Sequence, residues 1–179
     1  MTTIAFDGVS LASDSQMTQA QYRLDLRTEK IFKCPEGETW FVDGKQAIAF
    51  GVAGGIESQQ ILRNVLAGHG DTMGLAAHTR WPEGISMSYL VITVDGEVYT
   101  GGQEVEKAVP WIAKVEPPMA VGSGCEFAIG AMAAGVSATD AVKVAIRYDI
   151  NSGGEIQELD LGLQPEDPSR RKLFRYLDQ

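Results

Sequence analysis

Histidine and cysteine are scarce in this chain. Its two histidines, His69 and His78, share one polar, glycine-rich stretch, and its two cysteines, Cys34 and Cys125, stand far apart. That leaves little material for a histidine-centred triad or a zinc site, and it fits neither a metal cluster nor a disulfide framework. The thiols read as reduced, as in a cytosolic protein. Positive charge is also short: 15 Lys and Arg against 24 Asp and Glu give a net charge of −9, which argues against nucleic acid as a partner. No apolar run approaches the ~18 residues of a membrane span, and no cationic, apolar leader opens the sequence. The expectation is a cytoplasmic protein with no membrane partner. P-loop and dinucleotide fingerprints are absent, and Gly122-Ser123-Gly124-Cys125 is not the G-x-S-x-G of a nucleophile elbow. Cys125 opens a helix after a glycine turn, but with no histidine nearby in sequence it reads as a plain buried thiol.

What is present is an ordinary globular mixture, 44% hydrophobic and 22% charged over 179 residues, enough for one domain with a real core and too little for two. The expectation is a single domain over residues 1–179 whose last stretch, 163–179, is a polar surface tail. Three Asp-Gly pairs punctuate apolar runs. Asp7-Gly8 joins Thr2–Phe6 to Val9–Ser13, and Asp95-Gly96 joins Tyr89–Val94 to Glu97–Thr100; Asp43-Gly44 follows a strand at Thr39–Val42. Asp-Gly suits type I′ hairpin turns, whose central residues need φ > 0. Lys30–Lys33 reads as a strand before the turn Cys34-Pro35-Glu36-Gly37. The continuous apolar run Ala47–Ala53 reads as a strand buried on both faces.

Helical spacing from Ile56 to Leu66 ends at Gly68, and a short helix is predicted around Met73–Thr79. Val109–Val115 and Met119–Val121 read as strands. Glu126–Ala134 is a small-residue helix, and Ser137-Ala138-Thr139-Asp140 resembles a capping box opening a further helix through Tyr148. Glu155–Leu161 alternates as a last strand. Hairpins interleaved with helices predict an α+β sandwich with antiparallel sheets packed together and helices outside.

The chemistry lies at the amino end. If Met1 is trimmed, Thr2 carries a hydroxyl and a free α-amine on one carbon framework, a nucleophile joined to a base. A free α-amine has a reference pKa of about 7.7–8, so part of it is neutral near pH 7 and can take the hydroxyl proton. The same residues begin many unrelated proteins, so the case rests on the rest of the chain.

Six segments in order, Thr2-Thr3-Ile4, Ser13-Asp14-Ser15, Thr28-Glu29-Lys30-Ile31, Phe50-Gly51-Val52-Ala53-Gly54-Gly55, Gly122-Ser123-Gly124 and Tyr148-Asp149-Ile150-Asn151-Ser152-Gly153-Gly154, resemble the proteasome β-subunit family of N-terminal nucleophile hydrolases, including the HslV-type ring proteases. The resemblance implies a four-layer αββα sandwich and a threonine-type endopeptidase acting by acyl transfer. Thr2 is the implied nucleophile and Lys30 the cation beside it, with Asp14 holding Lys30. Gly51 is the implied amide donor to the oxyanion, and Ser123, Asp149 and Ser152 surround the α-amine. Each has a plainer use: a strand-edge lysine, a turn-capping aspartate, a glycine tolerated in a strand, a loop serine, polar residues ending a helix.

No metal or organic cofactor is implied. The implied partners are a polypeptide substrate, further copies of the chain in a ring or helical assembly, and an ATP-dependent unfoldase as an optional one. The absence of a propeptide before Thr2 suits the HslV type. Two departures stand out. The hairpin between Thr2 and Asp14 is a few residues shorter than the family norm, so either matched pairs are lost or the register changes. Between Gly68 and Ser88, where the family carries a long helix that makes ring contacts, this chain is short and broken. They keep two rivals open: a catalytically silent ring or scaffold subunit, and an N-terminal amidohydrolase acting on a small amide.

Overall fold

The computed structural model describes residues 2–68, 74–104 and 107–164, and of 107–110 the backbone alone. The strands begin with β1 (Thr3–Phe6), β2 (Ser10–Ser13), β3 (Met17–Gln19), β4 (Tyr22–Asp25), β5 (Ile31–Lys33), β6 (Trp40–Val42) and β7 (Lys45–Gly54). After helix α1 (Glu57–Ala67) come β8 (Met87–Thr93), β9 (Val98–Glu104), β10 (Lys107–Val115) and β11 (Met119–Gly122). Helices α2 (Cys125–Ala133) and α3 (Ala138–Tyr148) precede β12 (Gln157–Asp160). The expected tail lies almost wholly outside the described residues.

Two antiparallel sheets hold the chain together. One has the order β11-β1-β2-β12; the other runs β10-β9-β8-β7-β5, with β6 also on β7. All four residues of β1 and of β2 are buried, because each face of that sheet is covered. On one face, Ala5, Ala12 and Ala120 meet Ala128 and Met132 of α2 and Ala138, Ala141 and Val142 of α3; alanine lets the helices lie close. On the other face, Ile4, Phe6, Leu11 and Val121 share a cluster with Ile31, Ala49, Leu90 and Ile92 of the larger sheet. A third cluster sets Leu62 and Leu66 of α1 against Trp40, Phe50, Val52 and Tyr89. The predicted α+β class with antiparallel sheets and helices is what the chain adopts.

The turns correct one expectation. Only Asp43-Gly44 has both residues at positive φ, 50° and 76°, as type I′ requires. At Asp95-Gly96 glycine alone is left-handed, and Gly96 N–H donates to Thr93 O at 3.0 Å, so a three-residue loop replaces the two-residue one. At Asp7, the side-chain Oδ1 accepts from Val9 N–H and Ser10 N–H, both at 2.9 Å, and that Asx arrangement shapes the hairpin.

The helix expected at Met73–Thr79 begins outside the described residues, and 74–79 is not helical. Leu75 N–H donates to Phe41 O at 2.9 Å and Asp43 N–H to Leu75 O at 2.7 Å, tying this stretch to the edge of β6. Gly74, at φ +78°, has its α-carbon against the Phe41 backbone. The sequence reading also missed the hairpin β3–β4, a two-stranded sheet apart from the others.

Candidate active site

Strand register brings the two ends of the first hairpin together. Ile4 pairs with Ser13 and Phe6 with Leu11, and Asp14 N–H then donates to Thr3 O at 3.1 Å. This register sets Asp14 beside the start of β1. The Asp14 carboxylate is fully buried and accepts from four donors. Oδ1 takes Thr3 N–H at 2.8 Å and the Lys30 ammonium at 2.8 Å; Oδ2 takes Gly153 N–H at 2.9 Å and Gln16 N–H at 3.2 Å. A buried carboxylate saturated in this way is held in one orientation.

Lys30 reaches it because it stands just before β5, where its carbonyl accepts from Val52 N–H at 3.0 Å. Its Nζ also donates to the Gln16 carbonyl at 2.7 Å, and the residue is only 6% exposed. Burial pushes the lysine below its ordinary value; the charge of Asp14 and its hydrogen bond oppose this, and Asp149 adds a smaller contribution in the same direction.

A second chain of hydrogen bonds begins at the Thr2 nitrogen. Thr2 N–H donates to Ser123 Oγ at 3.1 Å, and Ser123 Oγ–H donates to Asp149 Oδ2 at 2.7 Å. Ser152 Oγ–H reaches the same oxygen at 2.7 Å and lies 2.7 Å from Thr3 Oγ1. Burial raises the Asp149 carboxyl, but hydrogen bonds from Ser123, Ser152 and Asn151 outweigh it and leave the group below its ordinary value.

Glycines flank Ser123 for a steric reason. A Cβ at Gly122 (φ +95°) would collide with Thr2 O, and one at Gly124 would strike Thr3 Oγ1. Asp149 is placed by α3, whose last turn it closes with its N–H on Ala145 O at 2.7 Å; Ser152 N–H then donates to Asp149 O at 3.1 Å.

The Thr2 hydroxyl has no hydrogen-bond partner among the described residues. Thr2 lines a cavity of about 480 Å³ together with Lys30, Gln16, Thr18, Val52 and Gly54. Of the residues singled out in the sequence, Thr2, Lys30, Asp14, Ser123, Asp149 and Ser152 come together here.

Gly51 does not join them. It is paired with Ile31 of β5 on one side and Leu90 of β8 on the other, and it is not part of the cavity wall. A Cβ on Gly51 would lie 2.7 Å from Ile4 Cγ2 and 3.1 Å from Ile31 Cγ2, so the residue is glycine because the two sheets touch there. Cys125 is half-buried and its thiol is pushed up, by burial first and by Glu126 next, as suits an inert cysteine.

Sequence reasoning overlooked Thr3, Gln16 and Gly153. Thr3 could have been suspected from the Thr-Thr pair. Gln16 and Gly153 act mainly through the backbone, and nothing in their side chains marks them.

No protein-family model matches this sequence, and no curated protein matches it. Solved structures do. The Thiobacillus denitrificans β-proteasome homologue BPH superposes with a TM-score of 0.59 at 16% identity, over 93% of this chain and 98% of that one. The same protein in complex with epoxomicin gives 0.58 at 16%, over 88% and 96%. The helical assembly of the Anbu complex from Pseudomonas aeruginosa gives 0.54 at 13%, over 92% and 84%. At such identities the likeness establishes the fold. That fold is the one shared by proteasome-β-like N-terminal nucleophile hydrolases, BPH and the ancestral β-subunit Anbu among them.

Proposed function

We propose that this chain, once Met1 is removed, is a threonine-type endopeptidase subunit with Thr2 as nucleophile. One observation carries the reading: Lys30, paired with Asp14, lines the same cavity as Thr2, the Ser123–Asp149–Ser152 chain reaches the Thr2 nitrogen, and the Thr2 hydroxyl has no partner among the described residues. With Met1 removed, the nitrogen that bonds Ser123 is an α-amine. It takes the proton of Thr2 Oγ as the oxygen attacks the peptide carbonyl carbon. The carbon–nitrogen bond then breaks, and the leaving amine collects that proton, so that an ester to Thr2 remains. Water, giving a proton to the α-amine, adds to the ester; the acid departs and Thr2 Oγ regains its proton.

Lys30, held charged by Asp14, favours negative charge on Oγ and disfavours a second cation on the α-amine. Ser123 and Asp149 orient the amine. For the oxyanion, the amide of Gly54 suits better than that of Gly51. Val52 faces Lys30 from one edge of β7, and Gly54, two residues on, lies on that same edge beyond the end of β5 and lines the cavity.

The three apolar clusters support αββα layering for the domain. The Anbu helical assembly supports a homo-oligomer, in a helix or a ring, which would confine a polypeptide substrate.

The test is turnover of fluorogenic peptides by protein confirmed by mass to start at Thr2. Cleavage that epoxomicin stops, and that Thr2→Ala abolishes with the circular dichroism spectrum unchanged, supports the reading. Cleavage retained in Thr2→Ala contradicts it.

A further inference from the structure

The cavity beside Thr2 has an uneven distribution of charge. Three ionisable side chains line it: Lys30, Glu29 and Glu57. The lysine is neutralised from behind by Asp14 at 2.8 Å and capped by the Gln16 carbonyl at 2.7 Å. Among the described residues no ion pair or hydrogen bond engages the carboxylate of Glu29 or of Glu57, so the accessible charge on the wall is negative. Glu57 stands in the first turn of α1, where the helix dipole favours an anion, and its carboxylate folds back over Gly55 into the space a Cβ there would fill. The same wall carries the apolar side chains of Met17, Leu24, Val52 and Ile56 beside neutral polar ones such as Thr18 and Gln59.

We propose that this wall makes the site selective for a lysine or arginine side chain on the substrate, with Glu57 as the main selector and Glu29 as its second. This rests on the peptidase reading of Thr2 and deepens it. A long aliphatic stem covers the apolar side chains while its cationic head reaches the carboxylates. An apolar side chain seated there would strip water from two carboxylates and offer nothing in return; an acidic one would add repulsion. The net charge of −9 draws cationic segments toward the molecule from further away.

The test uses the full chain beginning at Thr2 and three peptides that differ only in carrying arginine, leucine or glutamate before the reporter group. The expected order is arginine, then leucine, then glutamate, with arginine ahead of leucine by roughly fivefold in kcat/KM, the size of one solvent-accessible charge pair at the upper end of its range. Glu57→Gln should remove most of that preference, and Glu57→Lys should reverse the order of arginine and glutamate. Leucine ahead of arginine, or an arginine preference untouched by Glu57→Gln together with Glu29→Gln, overturns the proposal. A second measurement separates it from the peptidase reading: fluorescence anisotropy of a labelled arginine peptide with the Thr2→Ala protein. If no peptide is cleaved, the peptidase reading falls. Binding that weakens severalfold in Glu57→Gln still supports the acidic wall, whereas binding unaffected by the substitution, or absent, overturns it.

Discussion

The back and the front of the Thr2 cavity are built by opposite rules. Behind Thr2, the side chains of Asp14, Lys30, Asp149 and Ser152 are buried, and each has at least one partner within 2.8 Å. In front, β3–β4 and the start of α1 leave Tyr22, Leu24 and Ile56 exposed by 74%, 54% and 69%, and the carboxylates of Glu29 and Glu57 have no partner among the described residues. The back is tied to elements from five parts of the sequence, so its geometry is determined many times over. The front belongs to one isolated hairpin and one helix end. A site divided in this way keeps its proton chemistry rigid and leaves the choice of substrate to a wall that can change without disturbing the core.

The division predicts unequal mutational costs. Asp14→Ala strands the Lys30 ammonium in the interior, and breaking one side of a buried pair should cost about 3–5 kcal/mol in denaturant unfolding. A loss below about 1 kcal/mol would mean that Lys30 finds water or another acceptor, and that the back is less closed than its burial indicates.

Gly51→Ala tests the packing between sheets. The added carbon would press on Ile4 at 2.7 Å, and overpacking of this kind should lower stability by about 1–3 kcal/mol. An unchanged melting temperature would show that the sheets can part there.

Acid should reach the back through Asp149. Its folded value lies below the ordinary carboxylate value, so the unfolded chain binds the proton more readily. The stability it supplies is present above about pH 3.9 and is lost as the pH falls through that value toward the folded one. Asp149→Asn should flatten that part of the stability profile, and an identical acid limb in the variant would contradict the assignment.

At the front, Tyr22→Ser or Leu24→Ser should shift stability by no more than about 0.5 kcal/mol, because each side chain is mostly in solvent already. A larger loss would show that the hairpin is part of the folding core.

The same division governs what could be read from the amino-acid sequence. Strands with apolar runs and Asp-Gly turns were legible, as were α1 with Gly68 behind it and α3 with its Ser137 cap, whose Oγ accepts from Asp140 N–H at 3.2 Å. The β3–β4 hairpin was not. Its strands are three and four residues long, and it turns at Ala20 with φ 50°, a position that carries no glycine, asparagine or proline signal. For the candidate site, Thr2, Asp14, Lys30, Ser123, Asp149 and Ser152 could be singled out from spaced segments, and the fold brings these six side chains into one region. Gly51 was misleading because a glycine admitting Ile4 of the facing sheet looks, in sequence, like one admitting a ligand. Gln16 and Gly153 were hidden because a carbonyl and an amide carry no side-chain identity.

The central claim is that trimmed Thr2 is a nucleophile tuned by Lys30, and intact-mass spectrometry tests it most directly. Incubated with an electrophile that reacts with an N-terminal threonine, the native protein should lack Met1 and carry one adduct, mapped to Thr2. Thr2→Ala should carry none, and Lys30→Ala should react far more slowly. A chain that retains Met1 after purification from its natural host, or an adduct that forms at the same rate in Lys30→Ala, would contradict the account.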